Sequence, residues 1–213
     1  MELQVSQLAC ARGDRQLFFD VSFELQRGEA LWLQGRNGSG KTSLLRLLCG
    51  LGVPLAGEIR WRGRPIHQLR EDYHRELLYC GHAGAIKDEL TASENVAITS
   101  ALAGRPCTPA QALQALAGVD LAAHAQQPTR LLSQGQRRRV ALAQLALPML
   151  PPLLLLDEPF VALDDASSHA LCAKLESHLE QGGMLVYTTH QPQAMAARRH
   201  TLLNLDTRQL LPC

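Results

Sequence analysis

The sequence lacks the features of a membrane-spanning or secreted protein. Its longest apolar stretch, 146–156, contains three prolines and is shorter than the roughly 20 apolar residues that a spanning helix needs. No basic segment followed by an apolar run stands at the N-terminus, so no secretory signal is visible. The six cysteines include no Cys-x-x-Cys pair, which excludes a typical zinc site or dense disulfide framework. We therefore expect reduced, mostly buried thiols in a cytoplasmic protein.

An excess of positive charge is also missing. Lys and Arg number 21 against 20 Asp and Glu, and the formal net charge is +1. Sequence-independent nucleic-acid binding depends on clustered positive charge, so we expect no nucleic-acid partner. With 213 residues, 46% hydrophobic and 19% charged, the chain is long enough to bury roughly 70% of its unfolded surface. We predict one domain over 1–213.

The hydrophobic pattern predicts an α/β fold. Short alternating runs over 1–33 indicate strands joined by tight turns, and a further strand pair is expected around 57–62. The continuous apolar runs Leu153–Leu156 and Met184–Thr188 are typical of strands buried on both faces of a parallel sheet. Residues 91–132 are rich in Ala, Leu and Gln, which indicates an insertion of short helices.

A phosphate-binding loop is the strongest motif. The pattern Gly-x-x-x-x-Gly-Lys-Thr follows an apolar strand and opens an apolar helix. Its glycines let successive amides converge on an anion, Lys41 would neutralise the β- and γ-phosphates, and the Thr42 hydroxyl would bind Mg²⁺. A glycine-rich turn with a surface lysine is the weaker alternative, because strand, loop and helix occur together. The predicted nucleotide-binding residues here are Gly35, Arg36, Asn37, Gly38, Ser39, Gly40, Lys41, Thr42 and Ser43.

Two adjacent carboxylates supply the second half of a nucleotide site. Asp157 and Glu158 follow the apolar run Leu153–Leu156, and a buried parallel strand delivers such residues to the ligand-binding edge of its sheet. We predict that Asp157 lies on the side of the Mg²⁺ ion. Glu158 is the predicted general base, polarising a water molecule for attack on the γ-phosphate. Two acids that merely cap the following segment are the alternative interpretation.

Residues 132–136 read Leu-Ser-Gln-Gly-Gln, which resembles the LSGGQ signature of ATP-binding-cassette (ABC) ATPases. The resemblance implies a P-loop NTPase core with an antiparallel β subdomain and an inserted α-helical subdomain at roughly 88–145. It also implies a head-to-tail dimer in which Ser133, Gly135 and Gln136 contact the nucleotide of the second cassette. Gln134 departs from the usual glycine.

Without the family, the same segment has a simpler interpretation. Ser133 is then the N-cap of a helix that carries the basic run 137–139. We interpret these three arginines as a solvated or interdomain face.

Further resemblances follow in the order of the ABC family. Ala-Leu-Asp ending at Asp164 resembles the D-loop, and His190 resembles the switch histidine that contacts the γ-phosphate. His82 stands where most members have the Q-loop glutamine, and its imidazole titrates near neutrality. Arg12 occupies the place of the adenine-stacking aromatic residue. Its guanidinium could stack on a purine, or it is an exposed turn arginine.

The segment 81–95, the run Leu-Ser-Gln-Gly-Gln-Arg-Arg-Arg-Val-Ala-Leu-Ala and the final Thr-Thr-His-Gln resemble ATP-binding subunits of bacterial haem-export or cytochrome c maturation systems. This implies an ATP hydrolase that uses ATP and Mg²⁺ to energise haem export or release of a haem-loaded chaperone. It also implies membrane-spanning partner subunits and a peripheral location on the cytoplasmic side of the inner membrane.

Three other possibilities bear on this function. Another ABC exporter ATPase, or an ABC ATPase without a transporter, is the alternative function. A GTPase or small-molecule kinase is disfavoured, because it would lack the signature segment. Direct haem ligation is not expected, since His74 and His82 are candidates by residue type alone.

Overall fold

A computed structural model describes residues 2–81, 86–190 and 195–213. The chain forms two compact units, which we describe separately. The sheet unit comprises Met1–Tyr79, Pro151–Glu158 and Leu175–Cys213, and the helical unit comprises Cys80–Leu150 and Pro159–Lys174. The bounds of 88–145 given above for a helical subdomain stay a prediction.

The sheet unit contains two sheets. One has four antiparallel strands in the order β2-β1-β4-β5. These strands are β1 (Leu3–Arg12), β2 (Arg15–Leu25), β4 (Ala56–Trp61) and β5 (Arg64–Pro65). The second sheet has six strands in the order β10-β9-β3-β8-β7-β6. Its strands are β3 (Glu29–Gln34), β6 (Leu77–Cys80), β7 (Leu153–Leu156), β8 (Met184–Thr188), β9 (Arg199–Asn204) and β10 (Gln209–Pro212). The strands predicted at 1–33, 57–62, 153–156 and 184–188 are confirmed.

Strands β9, β3, β8 and β7 run parallel, and their alternating side chains separate the two faces of the sheet. Leu153 and Leu155 of β7 and Met184 and Val186 of β8 belong to one buried core. Two polar residues continue this spacing: Asp157, directly after the end of β7, and Thr188, the last residue of β8. The sheet therefore carries two polar side chains to the edge where the phosphate loop begins.

Within the described residues, the sheet unit contains the helices α1 (Lys41–Leu48), α2 (Ile66–Leu69) and α3 (Glu71–Arg75) and the end of a longer helix given below. The C-terminal carbonyls of α1 are bound by side chains of α3. The Tyr73 hydroxyl donates to the Leu48 carbonyl at 2.6 Å, and His74 Nε2 lies 3.0 Å from the Cys49 carbonyl oxygen. These contacts satisfy carbonyls that a helix end leaves without partners, and they give His74 a structural role.

The helical unit contains α4 (Ala92–Leu102), α5 (Pro109–Ala117) and α6 (Gln134–Leu142), with three 3₁₀ turns between and after them. Helix α7 (Asp165–Glu180) begins in this unit and ends in the sheet unit. Thr91, Thr108 and Ser133 each cap a helix through a capping box. Each apolar helix face packs into a small core that includes Val96, Leu116 and Val140.

Two negative expectations agree with the structure. All six cysteines are free, and four of them are buried. The expectation of mostly buried thiols is thus confirmed, and their reduced state stays a prediction. Within the described residues, no helix has both the length and the apolar character that crossing a membrane requires.

Candidate functional site

The phosphate loop joins the end of β3 to the start of α1 in a tightly folded path. Gly40 is the N-cap of α1 with φ 102°, a left-handed conformation that glycine adopts without steric cost. A Cβ at Gly40 would approach the Phe18 ring to 2.8 Å. Glycine also supplies no side-chain oxygen to the first amides of α1, so these amides are available to an anion.

Lys41 is held over this loop by main-chain oxygens. Its Nζ donates to the Gly35 carbonyl at 2.7 Å and to the Arg36 carbonyl at 3.4 Å. The loop is further closed by a bond from the Ser39 amide to the Arg36 carbonyl at 3.1 Å. The positive charge therefore stands where the converging amides would hold phosphates.

Asp157 and Thr42 meet although 115 positions separate them in the chain. The Thr42 hydroxyl donates to Asp157 Oδ2 at 2.7 Å. Asp157 is 2% exposed, so its carboxylate is held at the buried end of β7. The predicted pairing of the phosphate loop with this carboxylate is present in the geometry.

Glu158 adopts a left-handed backbone conformation with φ 53°, which is uncommon for a residue other than glycine. Its amide donates to the Thr188 hydroxyl at 2.7 Å, and that hydroxyl donates to Asp157 Oδ1 at 2.8 Å. Glu158 Oε1 lies 3.4 Å from His190 Nε2. The structure thus brings together the predicted base and the predicted switch histidine. The site also contains Thr188, which from the sequence was predicted only as the end of a strand.

Asp206 is a second residue that the sequence analysis missed. It lies in the turn between β9 and β10, and its Oδ2 accepts a hydrogen bond from the Arg36 amide at 2.8 Å. Its Oδ1 is 3.5 Å from Arg36 Nε. The turn is itself tied to the end of β3, because the Leu205 amide donates to the Gln34 carbonyl at 2.9 Å. No short-range signal could have revealed a contact across 170 positions.

The signature segment lies at the start of α6 in the helical unit. Ser133 is exposed and is the N-cap, with its hydroxyl accepting from the Gln136 amide at 3.2 Å. Gln136 Oε1 in turn accepts from the Ser133 amide at 2.8 Å. A Cβ at Gly135 would approach the Ala162 carbonyl to 3.2 Å. The interpretation of Ser133 as a helix N-cap is confirmed.

The interpretation of 137–139 as a solvated or interdomain face stays a prediction, and the structure adds partners for these side chains within the helical unit. All three arginines are half-buried and contact segments of their own unit. Arg137 forms an ion pair with Asp88, Arg138 donates to the Gly81 carbonyl at 2.8 Å, and Arg139 lies 3.5 Å from the Val119 carbonyl.

Three predicted residues stand apart from this geometry. The Asp164 carboxylate accepts from the Ser167 amide at 2.8 Å, near the start of α7. That backbone hydrogen bond lowers the pKa of Asp164. Arg12 is exposed at the end of β1, opposite Arg15 across the hairpin. His82 lies outside the described residues. Their nucleotide contacts stay predictions.

Comparisons with known proteins agree with the geometry of the site. Residues 18–161 match the family model described as ABC transporter. The cytochrome c biogenesis ATP-binding export protein CcmA of Nitrosomonas europaea is 50% identical over 194 residues, covering 91% of each chain. The protein of the same name from Escherichia coli O157:H7 is 45% identical over 203 residues, covering 95% of this chain and 96% of the relative.

Solved structures show the same fold. An ATP-binding subunit of an ABC transporter superposes with a TM-score of 0.80 at 26% identity, over 95% of this chain and 85% of that one. A bacterial ABC transporter cassette solved as a dimer gives a TM-score of 0.81 at 25% identity, over 95% and 94% of the two chains. The chain therefore belongs to the ABC transporter family of ATP-binding, ATP-hydrolysing proteins, within the group that includes the cytochrome c biogenesis ATP-binding export proteins.

Proposed function

We propose that the chain is the ATP-hydrolysing subunit of an export system that serves bacterial cytochrome c biogenesis. The observation that carries the proposal is the 45–50% identity, over more than nine-tenths of the chain, to proteins of that name. The corner formed by Thr42, Asp157 and Glu158 supports it, since these residues meet at the end of the phosphate loop.

The phosphate loop binds the triphosphate of ATP in this proposal. The free amides at the start of α1 and the Lys41 ammonium would replace the water that hydrates the phosphates. Lys41 then exchanges its two carbonyl partners, Gly35 and Arg36, for phosphate oxygens. A phosphate oxygen carries negative charge whereas a carbonyl oxygen is neutral, so the exchange adds an attraction between opposite charges and favours the nucleotide-bound loop.

The same corner fits a Mg²⁺ ion. The two protein ligands would be the Thr42 hydroxyl and the Asp157 carboxylate. Thr42 Oγ1 and Asp157 Oδ2 already lie 2.7 Å apart. Mg²⁺ prefers oxygen ligands and usually takes only one or two from the protein, with phosphates and water completing the set. The described residues contain no cluster of three His, Cys, Asp or Glu, which agrees with that sparse ligation. Bound there, Mg²⁺ would neutralise charge that develops on the phosphates.

Glu158 accepts a proton from the attacking water in the proposed reaction. The water oxygen forms a bond to the γ-phosphorus, and the bond from that phosphorus to the bridging oxygen breaks with its electron pair leaving on ADP. Glu158 is 8% exposed, so its carboxylate is shielded from bulk water. His190, 3.4 Å away, is placed to orient the carboxylate and to contact the γ-phosphate.

A second copy of the chain completes the site. Ser133 and Gln134 at the start of α6 are exposed. In the proposed head-to-tail dimer, Ser133 and the amide of Gly135 contact the γ-phosphate held by the other cassette. Membrane-spanning subunits of the same export system are the proposed second partner, which would hold this peripheral protein at the cytoplasmic face of the inner membrane.

The proposal is tested by replacing the chromosomal copy with a Glu158→Gln variant in the organism that encodes it. We expect loss of covalently bound haem from c-type cytochromes, measured by haem staining, while immunoblots show the variant at its normal level. A tagged wild-type chain should also co-purify with integral membrane subunits. Normal c-type cytochromes in a strain that lacks the chain would refute the proposal.

A further inference from the structure

Thr188 owes its position to the register of β7 and β8. The two strands are parallel, with Leu156 opposite Tyr187, so the next residues, Asp157 and Thr188, come to lie side by side. Side chains of residues paired in this way point to the same face of a sheet. The register therefore brings a hydroxyl beside the carboxylate on the face of the phosphate loop.

The Thr188 hydroxyl forms hydrogen bonds with both acidic residues of the corner, Asp157 and Glu158. It donates to Asp157 Oδ1 at 2.8 Å and accepts from the Glu158 amide at 2.7 Å. The direction of both bonds is fixed, because an amide can only donate and the hydroxyl has a single proton. Thr188 is 0% exposed, so water does not compete for either bond.

The bond to the Glu158 amide acts on a strained backbone. With φ 53°, Glu158 has a conformation that side chains disfavour and that persists only where the surroundings enforce it. This conformation directs the Glu158 carboxylate to within 3.4 Å of His190. An extended or helical backbone would direct the side chain elsewhere, so the Thr188 hydroxyl helps to determine where the base stands.

The bond to Asp157 determines which carboxylate oxygen faces the phosphate loop. Thr188 holds Oδ1, which leaves Oδ2 toward the Thr42 hydroxyl at 2.7 Å. Without the Thr188 hydroxyl, the carboxylate could rotate about its Cβ–Cγ bond and lose this orientation. Orientation by such outer partners commonly tunes a metal site.

We infer that Thr188 is a positioning residue that orients Asp157 toward the metal and Glu158 toward the attacking water through one hydroxyl. The inference rests on the proposed roles of Asp157 and Glu158. It differs from them because Thr188 acts through its bonds to Asp157 and Glu158.

The test compares Thr188→Val, which keeps the shape and removes the hydroxyl, with Thr188→Ser, which keeps the hydroxyl. Tyr187→Phe is the matched control. It removes a buried hydroxyl from the same strand, where Tyr187 Oη lies 2.9 Å from His200 Nε2 on the opposite face. All variants are purified as full chains. Steady-state ATPase activity is measured first. Equilibrium binding of a fluorescent ATP analogue is then measured without Mg²⁺ and at increasing Mg²⁺ concentrations. The last readout is the Mg²⁺ concentration that gives half of the increase in analogue binding caused by Mg²⁺.

Thr188→Val should lower kcat on the order of 10-fold to 100-fold, the range expected when a reacting group is misplaced by a fraction of an ångström to one ångström. It should raise the half-saturating Mg²⁺ concentration several-fold and leave binding without Mg²⁺ unchanged. Thr188→Ser and Tyr187→Phe should match the wild type. A purely structural role would lower the thermal midpoint of Thr188→Val without this pattern.

The inference is overturned if Thr188→Val stays within about threefold of Thr188→Ser in kcat and has the same half-saturating Mg²⁺ concentration. If Thr188→Val does not fold, Thr188→Ala is compared with Thr188→Ser by the same criterion. A wild-type chain that hydrolyses no ATP would refute the proposed function instead, so the two failures are distinguishable.

Discussion

Different kinds of contact stabilise two parts of the proposed nucleotide site. One part is the corner formed by Thr42, Asp157 and Glu158 in the sheet unit, and the other is the signature segment 132–136 in the helical unit. At the corner, buried side chains from distant parts of the chain bind one another, as Thr42 and Thr188 both donate to Asp157. At the start of α6, the exposed Ser133 bonds within its own helix turn. The corner is therefore organised by tertiary structure in a single chain, whereas the signature segment has a local shape and presents its surface outward.

The difference has a consequence for mutations. A change at the corner should alter chemistry in every copy of the chain, because its geometry needs no second molecule. A change at Ser133 should leave nucleotide binding by one copy intact and act only when two copies meet.

Glu158→Gln should lower kcat on the order of 100-fold or more, because a positioned general base contributes about that much, while ATP affinity stays at the wild-type value. Steady-state phosphate release and equilibrium ATP binding measure the two quantities. Glu180→Gln, at an exposed carboxylate at the end of α7, is the control and should behave like the wild type. Activity of Glu158→Gln within about threefold of the wild type would remove Glu158 as the base.

Lys41→Ala should weaken ATP binding itself by roughly tenfold or more, since a charge-assisted hydrogen bond is worth about 1.5–3 kcal/mol. Titration with a fluorescent nucleotide measures the change. Lys174→Ala removes the same charge from an exposed position in α7 and controls for net charge. Equal ATP affinity in both variants would contradict the assigned role of Lys41.

Ser133→Arg should weaken ATP-driven dimer formation on the order of tenfold or more in dimer affinity, and should leave ATP binding by the monomer unchanged. Light scattering with ATP in the Glu158→Gln background reports the dimer. The control is Thr108→Arg, which removes an equivalent capping box at the start of α5 in the same unit. If Ser133→Arg pairs as well as its parent, the signature segment does not act on a second copy.

Much of this fold is predictable from short-range pattern, because continuous apolar runs mark β7 and β8 and glycine marks the loop before α1. The residues Thr188 and Asp206 were not predictable in the same way. Their contacts depend on strand register and on a turn that lies 170 positions from its partner, and neither is encoded in local spacing. One sequence signal could have identified Thr188. It is the last residue of the buried strand β8, and an acidic residue, Asp157, directly follows the buried strand β7.

The basic run 137–139 has contacts that the local sequence pattern does not reveal. Three consecutive arginines on a helix usually indicate a solvated face, yet here each side chain contacts a different loop of its own unit. Long side chains reach partners that helical periodicity does not reveal. The sequence therefore located the helix but did not reveal the partners of its arginine side chains.

The smallest predicted effect concerns Asp206, whose carboxylate accepts from the Arg36 amide at 2.8 Å. Asp206→Ala should weaken ATP binding roughly fivefold, since a single hydrogen bond that shapes the loop is worth about 1 kcal/mol. Asp206→Asn keeps an acceptor oxygen and should retain most of the affinity. The same fluorescent-nucleotide titration used for Lys41→Ala measures both variants.

Arg36→Ala separates the two bonds that Asp206 makes with Arg36. It removes the guanidinium, which is 88% exposed and lies 3.5 Å from Asp206 Oδ1, but keeps the amide. Exposed ion pairs contribute little to stability, so Arg36→Ala should bind ATP like the wild type. If Arg36→Ala weakens binding as much as Asp206→Ala, the ion pair and not the backbone bond shapes the loop. Unchanged affinity in Asp206→Ala would instead show that the phosphate loop keeps its form without its contact to the turn between β9 and β10.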